Sequence, residues 1–151
     1  MNSSTLKFHP RRKNAFHRLP FVGRQHGSEH SFWDVPLTGG HYASTKTGIE
    51  LAALMLIHLR QNRHDQFVTG RLGQIATGWL DAARTATPDQ YSALHGQVLG
   101  FMGQLSPWLI AAVEWSGKNL DTADPHAMLR NANRWLTLNE SALFTAYEVS
   151  E

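Results

Sequence analysis

Within about forty residues the chain repeats one local signal three times: Thr87-Pro88, Ser106-Pro107 and Asp124-Pro125. Each pair sets a capping side chain before a proline at the first helical position, where the missing N–H costs nothing. Gln90 follows Thr87 by three residues and completes a capping box. The three signals predict three separate helices. The first, from Pro88, is expected to bury Tyr91, Leu94, Val98, Met102 and Leu105. Gly96, Gly100 and Gly103 interrupt it. Each glycine costs up to about 1 kcal/mol in a helix, so close approach of a neighbouring helix is the expected compensation. The second, from Pro107, is short and apolar and is expected to end near Gly117. The third, from Pro125, is expected to bury Met128, Leu129, Ala132, Trp135 and Leu136.

The text upstream is helical from Gly48. Nine of the eleven residues from Ile49 to Leu59 are apolar, the mark of a buried central helix. Residues 66–84 are amphipathic, with Val68, Leu72, Ile75, Ala76, Trp79, Leu80 and Ala83 on one face. Arg71, Gln74, Asp81 and Arg84 fall opposite. A last turn carries Leu143, Phe144 and Tyr147. Residues 31–42 mix aromatic residues with turn formers and read as an ordered loop laid across the helices. Pro36 excludes a central strand there. The expected fold is all-α, a bundle of five or six helices with a basic, irregular N-terminal extension. Residues 1–31 form that arm, extended or disordered, and residues 32–151 a single helical domain.

At 151 residues and 42% hydrophobic content, the chain can bury a core without staples. It has no cysteine, so disulfides and thiolate zinc sites are excluded. No segment offers the roughly 20 apolar residues of a membrane span. No secretory leader is legible, and a cytoplasmic location is expected. The net charge of +2 conceals an asymmetry. Lys7, Arg11, Arg12, Lys13, Arg18 and Arg24 give residues 1–28 a charge of +6 with no acid, and the remainder is −4. A basic arm neutralises phosphates, and Phe8, Phe16 and Phe21 between the charges can stack on bases. Arg130 and Arg134, with Asn131 and Asn133, add a basic strip on the last long helix.

Other constellations are weaker. Gly40-His41-Tyr42-Ala43-Ser44-Thr45-Lys46-Thr47 nearly fits the phosphate-cradling loop, with Thr45 in place of the second glycine. A plain turn with Lys46 and Glu50 paired across one helical turn is the bland alternative. His26, His30 and Asp34 are spaced by four and, with His41, offer imidazole and carboxylate to a metal. No H-E-x-x-H pattern accompanies them, and no cofactor is expected. His58, on an apolar helix, reads as a satisfied core histidine. The five tryptophans fall mostly at expected core positions, although Trp108 and Trp115 sit on a helix apolar enough for a subunit contact.

The stretch Phe32-Trp33-Asp34-Val35-Pro36-Leu37-Thr38-Gly39-Gly40-His41-Tyr42, followed by Thr47-Gly48 and an apolar helix, resembles short uncharacterised accessory proteins of proteobacterial plasmids, phages and integrating elements. The resemblance covers residues 32–60. It implies a small factor that acts by binding, and some such factors block host defence complexes. The leading expectation is therefore a non-enzymatic protein contacting nucleic acid or a nucleoprotein complex. Its arm would work with a loop site of Trp33, Asp34, His41, Tyr42 and Lys46. One alternative is an inhibitor of a host protein. Another is a small metal-dependent enzyme built on residues 26–44. No membrane partner is expected, and self-association is left open.

Overall fold

Glycine sets the contact on which the first half of the fold is built. The computed structural model describes residues 5–24 and 30–138. It divides into two compact units, Met1–Ile110 and Ala111–Glu151, with the division inside one helix. In the first unit, helix α1 (Gly40–Gln61) lies against α3 (Pro88–Ser116). A Cβ on Gly48 would collide with the Gln97 carbonyl oxygen. Gly96 likewise meets the carbonyl of His41, and Gly100 that of Thr45. The two backbones touch because no side chain separates them, which offsets the helix-propensity cost of these glycines. Gly103 faces open space and has no such compensation.

Helix α1 begins at Gly40, nine residues before the apolar run that announces it, behind a left-handed Gly39 (φ 87°). Its buried residues are Ser44, Gly48, Leu51, Ala52, Met55 and His58. These form one face rather than the whole circumference, and Ile57 is exposed. Helix α2 spans Arg71–Thr85 and buries Arg71, Ile75 and Gly78. Its inner face is rotated from the expected one: Leu72 and Leu80 are exposed, and Arg71 lies beneath the Phe16 ring. Helix α3 likewise buries Ala93, Leu94, Gly96, Gln97, Gly100 and Phe101, while Tyr91 and Met102 are exposed. Hydrophobic count alone favours the bulkier stripe, but the glycine contact with α1 selects the narrower one.

The described residues contain four α-helices, not five or six. The helices expected from Pro88 and Pro107 are one helix, with Pro107 inside it. A proline there removes the bond to the carbonyl four residues back, and its ring crowds that residue. That carbonyl belongs to Gly103. The Ser106 hydroxyl donates to the Met102 carbonyl at 2.8 Å instead of capping a new helix. The capping box at Thr87 forms as expected, with the Thr87 N–H on Gln90 Oε1 at 2.9 Å and the Gln90 N–H on Thr87 Oγ1 at 3.3 Å.

The expected boundary at residue 31 is not where the chain divides. Phe16, Leu19, Phe21 and Val22 belong to the buried core with Trp33, Met55, Ile75 and Phe101. Part of the segment read as an extended or disordered arm, within residues 5–24, therefore belongs to the core. Burying four apolar side chains outweighs the want of a regular period. A 3-10 turn (Phe16–Arg18) leads to strand β1 (Gly23–Arg24), which pairs antiparallel with β2 (His30–Ser31) in the register Gly23↔Ser31. The Asp34 N–H donates to the Phe21 carbonyl at 2.7 Å and extends this contact toward the core.

The second unit contains the end of α3, a 3-10 segment (Lys118–Thr122) and α4 (Pro125–Thr137). Asp124 caps α4 by accepting from the N–H groups of His126 and Ala127 at 3.0 and 3.2 Å. None of residues 111–138 is buried. Met128, Leu129, Trp135 and Leu136, expected in the core, are exposed, as are Trp108 and Trp115. Of the five tryptophans, only Trp33 is fully buried and Trp79 half-buried. The expected turn at Leu143, Phe144 and Tyr147 lies outside the described residues. No described helix is long and apolar enough to cross a membrane.

Candidate nucleic-acid interface

The six arm cations divide by what they do. Arg12 and Arg18 fasten the segment to itself. The Arg12 guanidinium donates to the carbonyls of His17 and Val22 at 2.9 and 2.6 Å. Arg18 donates from Nε to the Arg12 carbonyl at 2.7 Å and from Nη2 to that of Lys13 at 3.1 Å. A backbone bond from His9 N–H to the Arg18 carbonyl, 2.9 Å, closes the loop. Lys7, Arg11, Lys13 and Arg24 remain exposed.

Two adjoining hollows lie on this segment. One, of about 390 Å³, is lined by Phe8, His9, Pro10, Arg11, Arg12 and Arg24. The other, of about 460 Å³, is lined by residues that include Lys7, His9, Pro20, Asp34 and Pro36. His9 belongs to both. Its pKa is lowered, first by burial and then by the charges of Arg12 and Arg24, with Asp34 opposing. Three cations thus come together with a neutral-leaning imidazole, a mostly exposed Phe8 ring and one carboxylate. Such a face offers charge to phosphates and an aromatic plane to a base. Among the described residues its acid is Asp34, which folds over Gly23, where a Cβ would strike the carboxylate. His9 gives no sign in the sequence, because its place depends on the chain returning at Arg24.

Arg130 and Arg134 belong to the second unit. Both are exposed on α4, and the Arg130 guanidinium lies 4.0 Å from the Asp124 carboxylate.

The loop-site residues have different neighbours. Trp33 is buried and donates from Nε1 to Gln97 Oε1 at 2.9 Å, while Gln97 Nε2 donates to the Pro36 carbonyl at 2.9 Å. Asp34 joins the basic face. His41 Nε2 lies 3.1 Å from His95 Nδ1. Tyr42 is exposed, and Lys46 sits over its ring at 5.5 Å rather than pairing with Glu50. The phosphate-loop reading of Gly40–Thr47 fails, because these residues are the first two turns of α1 and not a loop.

Among the described residues no three His, Asp or Glu side chains come together as a metal site. His26 lies outside them. The His30 ring lies against His17, tilted by 33° with 3.9 Å between ring centroids. Burial, with His30 second, pushes the His17 pKa down to about 4. His58 is buried, with Nδ1 3.2 Å from Asn62 Nδ2, and its pKa is also lowered by burial and by Arg71. It is the core histidine that its position on an apolar helix predicts. A separate apolar groove of about 340 Å³ runs between α2 and α3, lined by residues that include Trp79, Leu80, Tyr91, Leu94 and Val98.

Compared with family models, with curated proteins and with solved structures, the chain matches none of them.

Proposed function

We propose that the protein is a non-enzymatic binding protein that holds nucleic acid, bare or within a nucleoprotein complex, against the basic face of residues 7–24. The observation that supports this reading is the hollow where Arg11, Arg12 and Arg24 surround His9 beside the Phe8 ring. Because the core anchors this segment, the cations are already arranged before a ligand arrives, which lowers the cost of binding. A setting among accessory factors of mobile elements rests on the resemblance of residues 32–60 and is part of the same proposal.

The test is titration of the full chain with duplex and single-stranded nucleic acid across a salt series. Arg11→Ala with Arg24→Ala should reduce the steepness of log K against log salt by about 0.9 per lost phosphate contact on duplex. Arg12 is unsuitable, since it also fastens the fold. Asp34→Asn should tighten binding by removing an opposing charge. Absence of binding at low salt, or indifference to all three changes, would sink the reading.

The groove between α2 and α3 favours a second reading, that of an inhibitor of a host protein. An apolar surface of this kind fits a protein partner. In that case Leu80→Asp abolishes a stoichiometric complex, and the arginine changes leave it intact.

A further inference from the structure

Helix α4 reads nearly the same in both directions. About Ala132, Met128 is matched by Leu136, Leu129 by Trp135, Arg130 by Arg134 and Asn131 by Asn133. At 3.6 residues per turn, Met128 and Leu136 lie about 40° to either side of Ala132, and Leu129 and Trp135 about 60°. Both arginines point about 160° away, at the back. The result is an apolar stripe symmetric about a small central residue. It is open: Met128 is 55% exposed, Leu129 60%, Trp135 65% and Leu136 82%.

We propose that α4 pairs antiparallel with α4 of a second copy of this chain, across a twofold axis at Ala132. A twofold contact uses the same patch on both copies, so each residue must suit the one at the mirrored distance from the axis. The like residues at mirrored distances meet that condition, apolar against apolar across the axis. Met128 comes to lie beside the partner's Leu136, and Leu129 beside the partner's Trp135. The two alanines at the crossing let the helix axes approach to the lower end of the usual 8–10 Å. The cationic pairs stay on the outer faces, so like charges are not pressed together.

Size fits the same occupant. A standard interface takes about 800 Å² from each partner. The α4 stripe supplies roughly half of that, Trp135 alone offering on the order of 150 Å². Trp115, 86% exposed, and Leu120 are further exposed apolar residues of the same unit.

The experiment is sedimentation of the full chain over a concentration series. The expected result is a dimer of the 16.9 kDa chain whose self-association weakens at least tenfold in Leu129→Asp and in Leu136→Asp. Their circular dichroism should be unchanged, because both positions are exposed. The chain has no cysteine, so single cysteines report geometry cleanly. Under mild oxidation Ala132→Cys should cross-link into a covalent dimer, and Arg134→Cys, on the outer face, should not. A monomer at every concentration overturns the proposal. So does a dimer indifferent to both aspartates, or one in which the two cysteines cross-link equally.

Discussion

His17 shows how one side chain couples this fold to pH. Its pKa lies near 4 because burial, and then the adjacent His30, disfavour the imidazolium. In the unfolded chain an imidazole titrates near 6.5. Below that pH the unfolded state takes up a proton that the folded state refuses. Stability is therefore full above about pH 6.5, declines as pH falls toward 4, and loses no more from this group below that. Allowing for solvent screening of a half-buried ring, the loss is on the order of 1–2 kcal/mol. Thermal melts at pH 7, 5.5 and 4 should show it, and His17→Gln should flatten the decline. His58, lowered by burial, adds in the same direction. Of these residues the sequence reveals only part. Gln97 stands visibly wrong on an apolar helix face, but that it answers Trp33 and Pro36 is written nowhere local. Arg71 looks like a surface cation until Phe16 is seen covering it.

At the scale of elements, what is legible is what depends on near neighbours. Thr87 with Gln90, and Asp124 before Pro125, cap their helices as their spacing dictates. Ser106-Pro107 carries the same local signal and yields no new helix: α3 runs on through Pro107, and the Ser106 hydroxyl bonds back to Met102 instead of capping. Helix faces are harder, since both α2 and α3 carry more apolar surface than one core can cover. The glycines of α3 give a sharp contrast on a single helix. Gly100→Ala should cost 3 kcal/mol or about that, because the added methyl meets the Thr45 carbonyl. Gly103→Ala meets nothing and should stabilise by up to about 1 kcal/mol through helix propensity alone. Paired urea titrations of the two variants check both signs. If Gly100→Ala proves harmless, the close contact between α1 and α3 is wrong.

At the scale of the molecule, the basic N-terminal segment is part of the body. Its charge pattern is plain in the sequence, and its attachment is not. The residues that anchor it, Phe16, Leu19, Phe21 and Val22, follow no regular period and meet partners far along the chain. A chain beginning at Gly27 should consequently fail to fold, not merely lose its charge. It would leave Trp33, Met55 and Phe101 uncovered, and should bind a hydrophobic dye and show no cooperative melt. A well-folded truncated protein would restore the view of a detachable tail.

The edge-to-face contact of Phe21 with Phe101 joins residues eighty positions apart. On the ribosome, at about 5–20 residues per second, Phe21 is made roughly 4–16 s before the ring that will cover it. During that interval the nascent chain carries an uncovered aromatic segment flanked by cations, the kind of stretch that chaperones hold. Birth of this protein is thus a waiting period, ended only when α3 has left the exit tunnel.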